Sequence, residues 1–189
     1  MTCNGHATHR WFGFGRFSAL VVSVMLVIAP AQANPAAALP PGPKENLAQW
    51  VEGDTATLEA VVAKDLDAQA WQAELQGIEP SEALAALADY LSLNLPAEPA
   101  GSDVASMLAG LPADGKELYL RDCLSCHGGD RYFLQQDNSI DEWMGIFDAP
   151  YHRRLLTESL ERETFASYAA HTVPLTLETV PEELQDRAD

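Results

Sequence analysis

The sequence predicts an all-α fold, and three observations carry that prediction. After residue 45 the apolar residues recur at three- and four-residue spacing, as in Leu58, Val61, Val62 and Leu66. Helix-stopping residues sit where those runs end, among them Gly53, Gly77 and Pro96. No stretch alternates apolar and polar residues over the length of a strand.

The chain opens differently. Arg10 and Arg16 precede an uncharged run, SALVVSVMLVIA, which ends in Pro30 and is followed by AQA before Asn34. A basic start, a short apolar run and a small-x-small end have the form of a secretory leader, so residues 1–33 read as a signal peptide. The run is shorter than the roughly 20 apolar residues that span a bilayer. If it is extended back over residues 11–29 it becomes a retained anchor instead, the one reading in which the protein meets a membrane. Both readings place the body outside the cytoplasm, in the periplasm.

Residues 34–44 form a Pro-rich linker, with order beginning near Glu45. Residues 45–96 read as a helical region of three segments: ENLAQWVEG, then DTATLEAVVAKDLDAQAWQAELQG as one helix, then PSEALAALADYLSLNLP with Leu84, Leu87, Tyr90 and Leu91 on a broad apolar face. Residues 97–111 connect, with a short helix around 104–108. Residues 112–189 form the last region. In it a helix of about two turns, PADGKELYLRDCLSCHGG, runs into a cysteine motif, 129–139 is a loop, DEWMGIF starts a short helix, and TESLERETFASYAAHTVP is a longer one capped by Thr157. LADYLSLNLP at 87–96 aligns without gaps on FASYAAHTVP at 165–174, matching Tyr90 with Tyr168 and Pro96 with Pro174. Either two amphipathic helices share ordinary Pro stops, or residues 45–96 are a degenerate copy of the final region.

Cys123, Cys126 and His127 form C-x-x-C-H. With the leader removed Cys3 is lost, so these are the only two thiols left, and in an oxidising compartment an unprotected pair oxidises unless something consumes it. A structural zinc site needs four ligands, and the rest of the chain offers no second pair. A redox dithiol belongs with a βαβ pattern, which is missing here. A local disulfide leaves His127 without a purpose. Covalent haem uses all three residues: two thioethers and a proximal imidazole for the iron, giving one haem c per chain.

GKELYLRDCLSCHG at 115–128 resembles the haem-attachment segment of the class I c-type cytochromes. The resemblance covers residues 112–174, about a third of the chain, and implies a cytochrome c-like haem domain preceded by a small helical region, which would then be a haem-less copy if the repeat is real. It also implies that Gly115 and Tyr119 cross the C-terminal helix closely, at Phe165 and Tyr168. A Gly lets two backbones approach and aromatic rings lock the crossing. Family members place a distal Met on the loop before that helix. Here the loop is FDAPYHRRL and the residue in that place is His152; Met144, His171 and an open iron are the alternatives. Arg131, Tyr132, Arg153 and Arg154 are candidates for haem propionate contacts, and Trp143 either lines the pocket or fills the core.

The whole chain carries a formal charge of −17, with 28 acidic residues against 11 Lys and Arg. All the acids follow residue 33, which leaves the body at about −19 and makes nucleic acid a poor partner. A redox protein with a basic docking surface fits better, although such charge also serves solubility. The expected function is electron transfer, as a free carrier or as the electron-accepting subunit of a periplasmic oxidoreductase, with the amino-terminal helices docking a larger complex in one version. The alternative is a haem enzyme or gas sensor with an open distal position.

Overall fold

The computed structural model describes residues 39–186, so the leader or anchor of residues 1–33 lies outside the described residues. The described chain is all-α, with no strand among its residues. None of its helices is long and apolar enough to cross a membrane.

Order begins earlier than Glu45. Helix α1 is Pro43–Trp50, with Pro at its first position, where the missing N–H costs nothing. Leu39 is already buried in a core. The segment read as one helix over 54–77 is two, α2 Thr55–Val62 and α3 Ala68–Glu74, because the Asp67 side chain accepts from Ala70 N at 2.8 Å and opens a new helix. Gly53 and Gly77 stop their helices at φ 81° and 87°, in the left-handed region that favours glycine. Helix α4 is Ser81–Asn94, and α5, Val104–Gly110, lies within the segment expected to be mostly connection.

Helix α6, Gly115–Leu118, runs through a π turn at Tyr119–Cys123 into α7, Leu124–His127. The loop expected at 129–139 contains a one-turn helix, α8 Arg131–Leu134, because Asp130 Oδ1 accepts from Tyr132 N and Phe133 N. Helix α9, Ile140–Gly145, starts on a reciprocal Ser139–Glu142 cap. Helix α10, Ser159–Thr172, starts after Glu158 rather than Thr157, since Leu156 at φ 44° turns the chain just before it. A last turn, α11, is Glu182–Gln185.

Two apolar cores result. One gathers Leu47, Leu58, Trp71, Leu87 and Leu91; the other gathers Leu118, Tyr119, Trp143, Phe165 and Tyr168. The likeness seen over ten residues extends much further. Residues 39–75 correspond to 111–147 at a constant offset of 72, and residues 81–97 to 159–175 at an offset of 78. Helices α3 and α9 each begin on a capping side chain and carry a fully buried Trp, Trp71 or Trp143. Helices α4 and α10 are both 14 residues long. Ala97 N donates to Val62 O at 2.9 Å, and the counterpart Leu175 N donates to Leu134 O at 2.7 Å.

The contacts between the halves are reciprocal, as across a two-fold axis. Lys44 pairs with Glu117 at 2.9 Å and Lys116 with Glu45 at 2.8 Å. Tyr90 Oη donates to Pro112 O at 2.7 Å, while Tyr168 Oη donates to Pro40 O at 3.1 Å. Ser167 and Asp89, themselves counterparts, meet each other, with Ser167 Oγ donating to Asp89 Oδ2 at 2.6 Å. Asn94 Nδ2 adds a buried bond from α4 to Thr164 Oγ1 on α10 at 3.1 Å.

Candidate functional site

The segment that carries the cysteines is aimed by three devices. Asp114, 2% exposed, caps α6: it accepts from Glu117 N and Lys44 N, both at 2.9 Å, and burial pushes its carboxyl above the usual range. Gly115 then lies against α10 so closely that a Cβ would fall 2.1 Å from Tyr168 Cβ and 2.8 Å from Thr164 O. Tyr119 follows one turn on, packed on Phe165 at 6.0 Å between ring centres and edge-on to Tyr168 at 6.2 Å. The crossing implied by the resemblance is therefore present with all four of its residues in contact. The π turn, closed by Leu124 N on Tyr119 O, adds one residue and sets the following helix back by roughly 100°, so α7 is re-aimed relative to the α6–α10 contact.

Beside α7 lies a cavity of about 620 Å³. Cys123, Cys126 and His127 form one wall; Tyr151, His152, Leu155 and Leu156, from the loop at 148–158, form another; Phe133, Ile146 and Phe147 supply apolar lining between them. Cys123 is 6% exposed, Cys126 is exposed, and neither is in a disulfide. Burial, with smaller contributions from Asp122 and Cys126, pushes the Cys123 thiol up to about 12.

Both imidazoles of the cavity turn Nδ1 toward an oxygen, but only His152 makes a hydrogen bond there. His127 stacks on Phe133 with ring centres 4.6 Å apart, and its Nδ1 is 3.4 Å from Asp130 Oδ2, the carboxylate whose other oxygen caps α8. His152 Nδ1 is 3.2 Å from Ile146 O, and because a carbonyl only accepts, this nitrogen carries the proton. Nδ1 on an acceptor is the usual tether of a metal-binding histidine and leaves Nε2 as the ligand atom. Among the described residues neither Nε2 has a protein partner. The ring centres are 6.1 Å apart and the planes 68° inclined.

The other candidates lie elsewhere. Met144 packs part-buried against the second core and does not line the cavity. His171 Nε2 is 3.2 Å from Asp89 Oδ2, beside a separate cavity of about 230 Å³ that Pro40 and Pro80 also line. Trp143 is core, with its indole N–H unpartnered. Arg131, Tyr132, Arg153 and Arg154 are exposed and do not line the cavity. The sequence reading missed Asp130, whose spacing from His127 and position before a helical turn are its only signals.

The residues present fit a covalent haem: two thiols and an imidazole on one wall, a tethered imidazole across from them, and a largely apolar space of about 620 Å³ between. Compared with protein-family models, with curated proteins and with solved structures, the chain matches none.

Proposed function

We propose that this protein is an exported monohaem c-type cytochrome that passes single electrons, either as a free carrier or as the electron-accepting subunit of a periplasmic oxidoreductase. The observation that carries the reading is the pair His127 and His152, both facing the cavity that holds Cys123 and Cys126, with ring centres 6.1 Å apart and each Nδ1 turned to an acceptor. Cys123 and Cys126 would form the thioethers, and His127 and His152 would hold the iron as proximal and distal ligands. Haem held this way supplies one-electron exchange at its iron, at a lower potential than a Met ligand would give.

The chain's own residues do the rest. The Ile146 carbonyl holds His152 in the tautomer that presents Nε2, and the Asp130 carboxylate lies 3.4 Å from Nδ1 of His127. Phe133, Ile146, Phe147 and Leu156 keep water from the site. Tyr151, 91% exposed at the cavity's edge, offers an aromatic contact to a redox partner with a basic docking surface. In this reading residues 45–96 are a haem-less copy: the counterparts of Cys123, Cys126 and His127 are Val51, Asp54 and Thr55, and the loop equivalent to 148–158 is only 76–80.

The test is the low-temperature spin-resonance and near-infrared spectrum of the oxidised protein, before and after His152→Ala. A bis-imidazole signal that becomes high-spin in the variant supports the carrier. High-spin iron in the unmodified protein, or ready carbon monoxide binding, turns the reading to a haem enzyme or gas sensor.

A further inference from the structure

Arg162 lies on α10, and its guanidinium is turned onto the loop that carries His152. Its Nε donates to Leu156 O at 2.6 Å, and Nη2 donates to Arg153 O at 3.2 Å and, more weakly, to Leu155 O at 3.4 Å. The same group rests on Phe147, with Cζ 4.9 Å from the ring centre. Among the described residues it has no carboxylate partner within ion-pair distance. Three of the residues it touches, Phe147, Leu155 and Leu156, line the cavity.

The comparison between the halves gives this arrangement a purpose. The counterpart of Arg162 is Leu84, an ordinary apolar residue packed against the first core. There the loop before α4 is only residues 76–80, whereas the loop before α10 runs over 148–158. The longer loop and the Arg occur together, in the half that has the cysteines. The loop also needs holding: Leu156 sits at φ 44°, where a branched side chain is disfavoured, and Arg162 bonds the carbonyl of that same residue. Inside the loop His152 is held by its own backbone bond to Ala149 O at 3.0 Å and accepts one from Leu155 N at 2.9 Å, so displacing 153–156 displaces His152.

We propose that Arg162 is the positioning residue for the distal ligand: its fork ties the loop to α10 and keeps His152 opposite His127. The inference rests on reading the cavity as a bis-imidazole haem site. Charged donors to three carbonyls, on a desolvating aromatic face, form the kind of multidentate anchor that Arg provides and Lys does not.

The experiment uses the full haem-loaded protein with Arg162→Leu, the residue of the other half, and Arg162→Lys. In Arg162→Leu the helical circular dichroism and one covalent haem per chain are retained, but low-spin iron gives way in part to high-spin. The reduced protein then binds carbon monoxide about tenfold faster, the factor that loss of a single charge-assisted bond provides. Added imidazole restores the low-spin spectrum, Arg162→Lys falls between the two, and amide exchange rises in 148–158 with α10 unaffected. Unchanged spin state and carbon monoxide rate in Arg162→Leu overturn the proposal. If that variant loses its helical signal, Arg162→Lys decides in the same terms. An unmodified protein that lacks covalent haem, or is already high-spin, overturns the reading of the cavity and with it Arg162's role toward a distal ligand, while unchanged amide exchange of 148–158 in Arg162→Leu overturns the clamp itself.

Discussion

Replacing Gly115 by Ala tests the contact from which the site is built. An added Cβ would stand 2.1 Å from Tyr168 Cβ and 2.8 Å from Thr164 O. Carbon atoms in ordinary contact are about 3.5–4.0 Å apart, so α6 and α10 must part by more than an ångström. One obstacle is backbone and the other is the root of a side chain, so rotamer changes give no relief. Parting also loosens Tyr119 on Phe165 and the buried Asn94–Thr164 bond. Overpacking of this kind costs about 1–3 kcal/mol and more where backbone must move, which outweighs the gain of up to about 1 kcal/mol from Ala in a helix. We expect Gly115→Ala to lose about 3 kcal/mol in urea titration of the haem-loaded protein. The control is Gly145→Ala, helical at φ −63° with nothing within 4 Å of its Cβ position, which should be neutral or more stable by up to about 1 kcal/mol. The two substitutions should thus have opposite signs. A Gly115→Ala protein as stable as the unmodified one would refute the close crossing.

His171→Ala and Met144→Leu should both leave the visible and spin-resonance spectra of the oxidised protein unchanged, since His171 is engaged by Asp89 and Met144 packs away from the cavity. Burial alone would raise the Asp89 carboxyl, but donation from His171 and Ser167 leaves it below the usual range. Depressed in the folded state, it contributes stability above the unfolded value of about 3.9 that is lost as pH falls through the lower folded value. Asp89→Asn should therefore cost about 1–2 kcal/mol at pH 7 in urea titration, with the difference closing in acid. Asp114 runs the other way: raised by burial, it withdraws stability as pH rises from about 3.9 through its folded value. Asp114→Asn keeps an acceptor for Glu117 N but sets its Nδ2 donor against Lys44 N, so it should cost about 1–3 kcal/mol at pH 7, and Asp114→Ala, which strands both N–H groups, should cost at least as much, read from the same titration.

Local signals in the sequence were enough for the helices that end on Gly or Pro, whereas the pairing of Gly115 and Tyr119 with Phe165 and Tyr168 came from the resemblance of the segment 115–128 and not from local pattern. They were not enough where one side chain decides between two local structures. Asp67 divides 54–77 into α2 and α3, and Asp130 winds a turn where no period exists. The Pro-rich stretch before Glu45 looked like a linker because its partners, the core that takes Leu39 and the carboxylate of Asp114 that accepts from Lys44 N, lie some 70 or more residues away. The longer repeat was hidden for a different reason. Its offset changes from 72 to 78 at the loop that carries His152, and only ten of the 54 aligned positions are identical, among them Lys44 with Lys116, Glu45 with Glu117, Trp71 with Trp143 and Tyr90 with Tyr168. What persists is the set of caps, the buried tryptophans and the backbone bonds, which a residue-by-residue match does not score. His171 was a reasonable ligand by spacing, and only its contact with Asp89, 82 residues earlier, shows that it is engaged elsewhere.

The exchanged tyrosine bonds bear on how the molecule is made. A ribosome delivers Tyr90 before its acceptor at Pro112, Glu45 before Lys116, and Pro40 long before Tyr168. The first half therefore emerges with its latches open: those to Pro112 and Lys116 can close once residue 116 is made, whereas the one from Tyr168 to Pro40 waits for α10. Cys123, Cys126 and His127 are translated between those two moments. The cysteine segment is thus complete before the contact of Gly115 with α10, which aims it, can form.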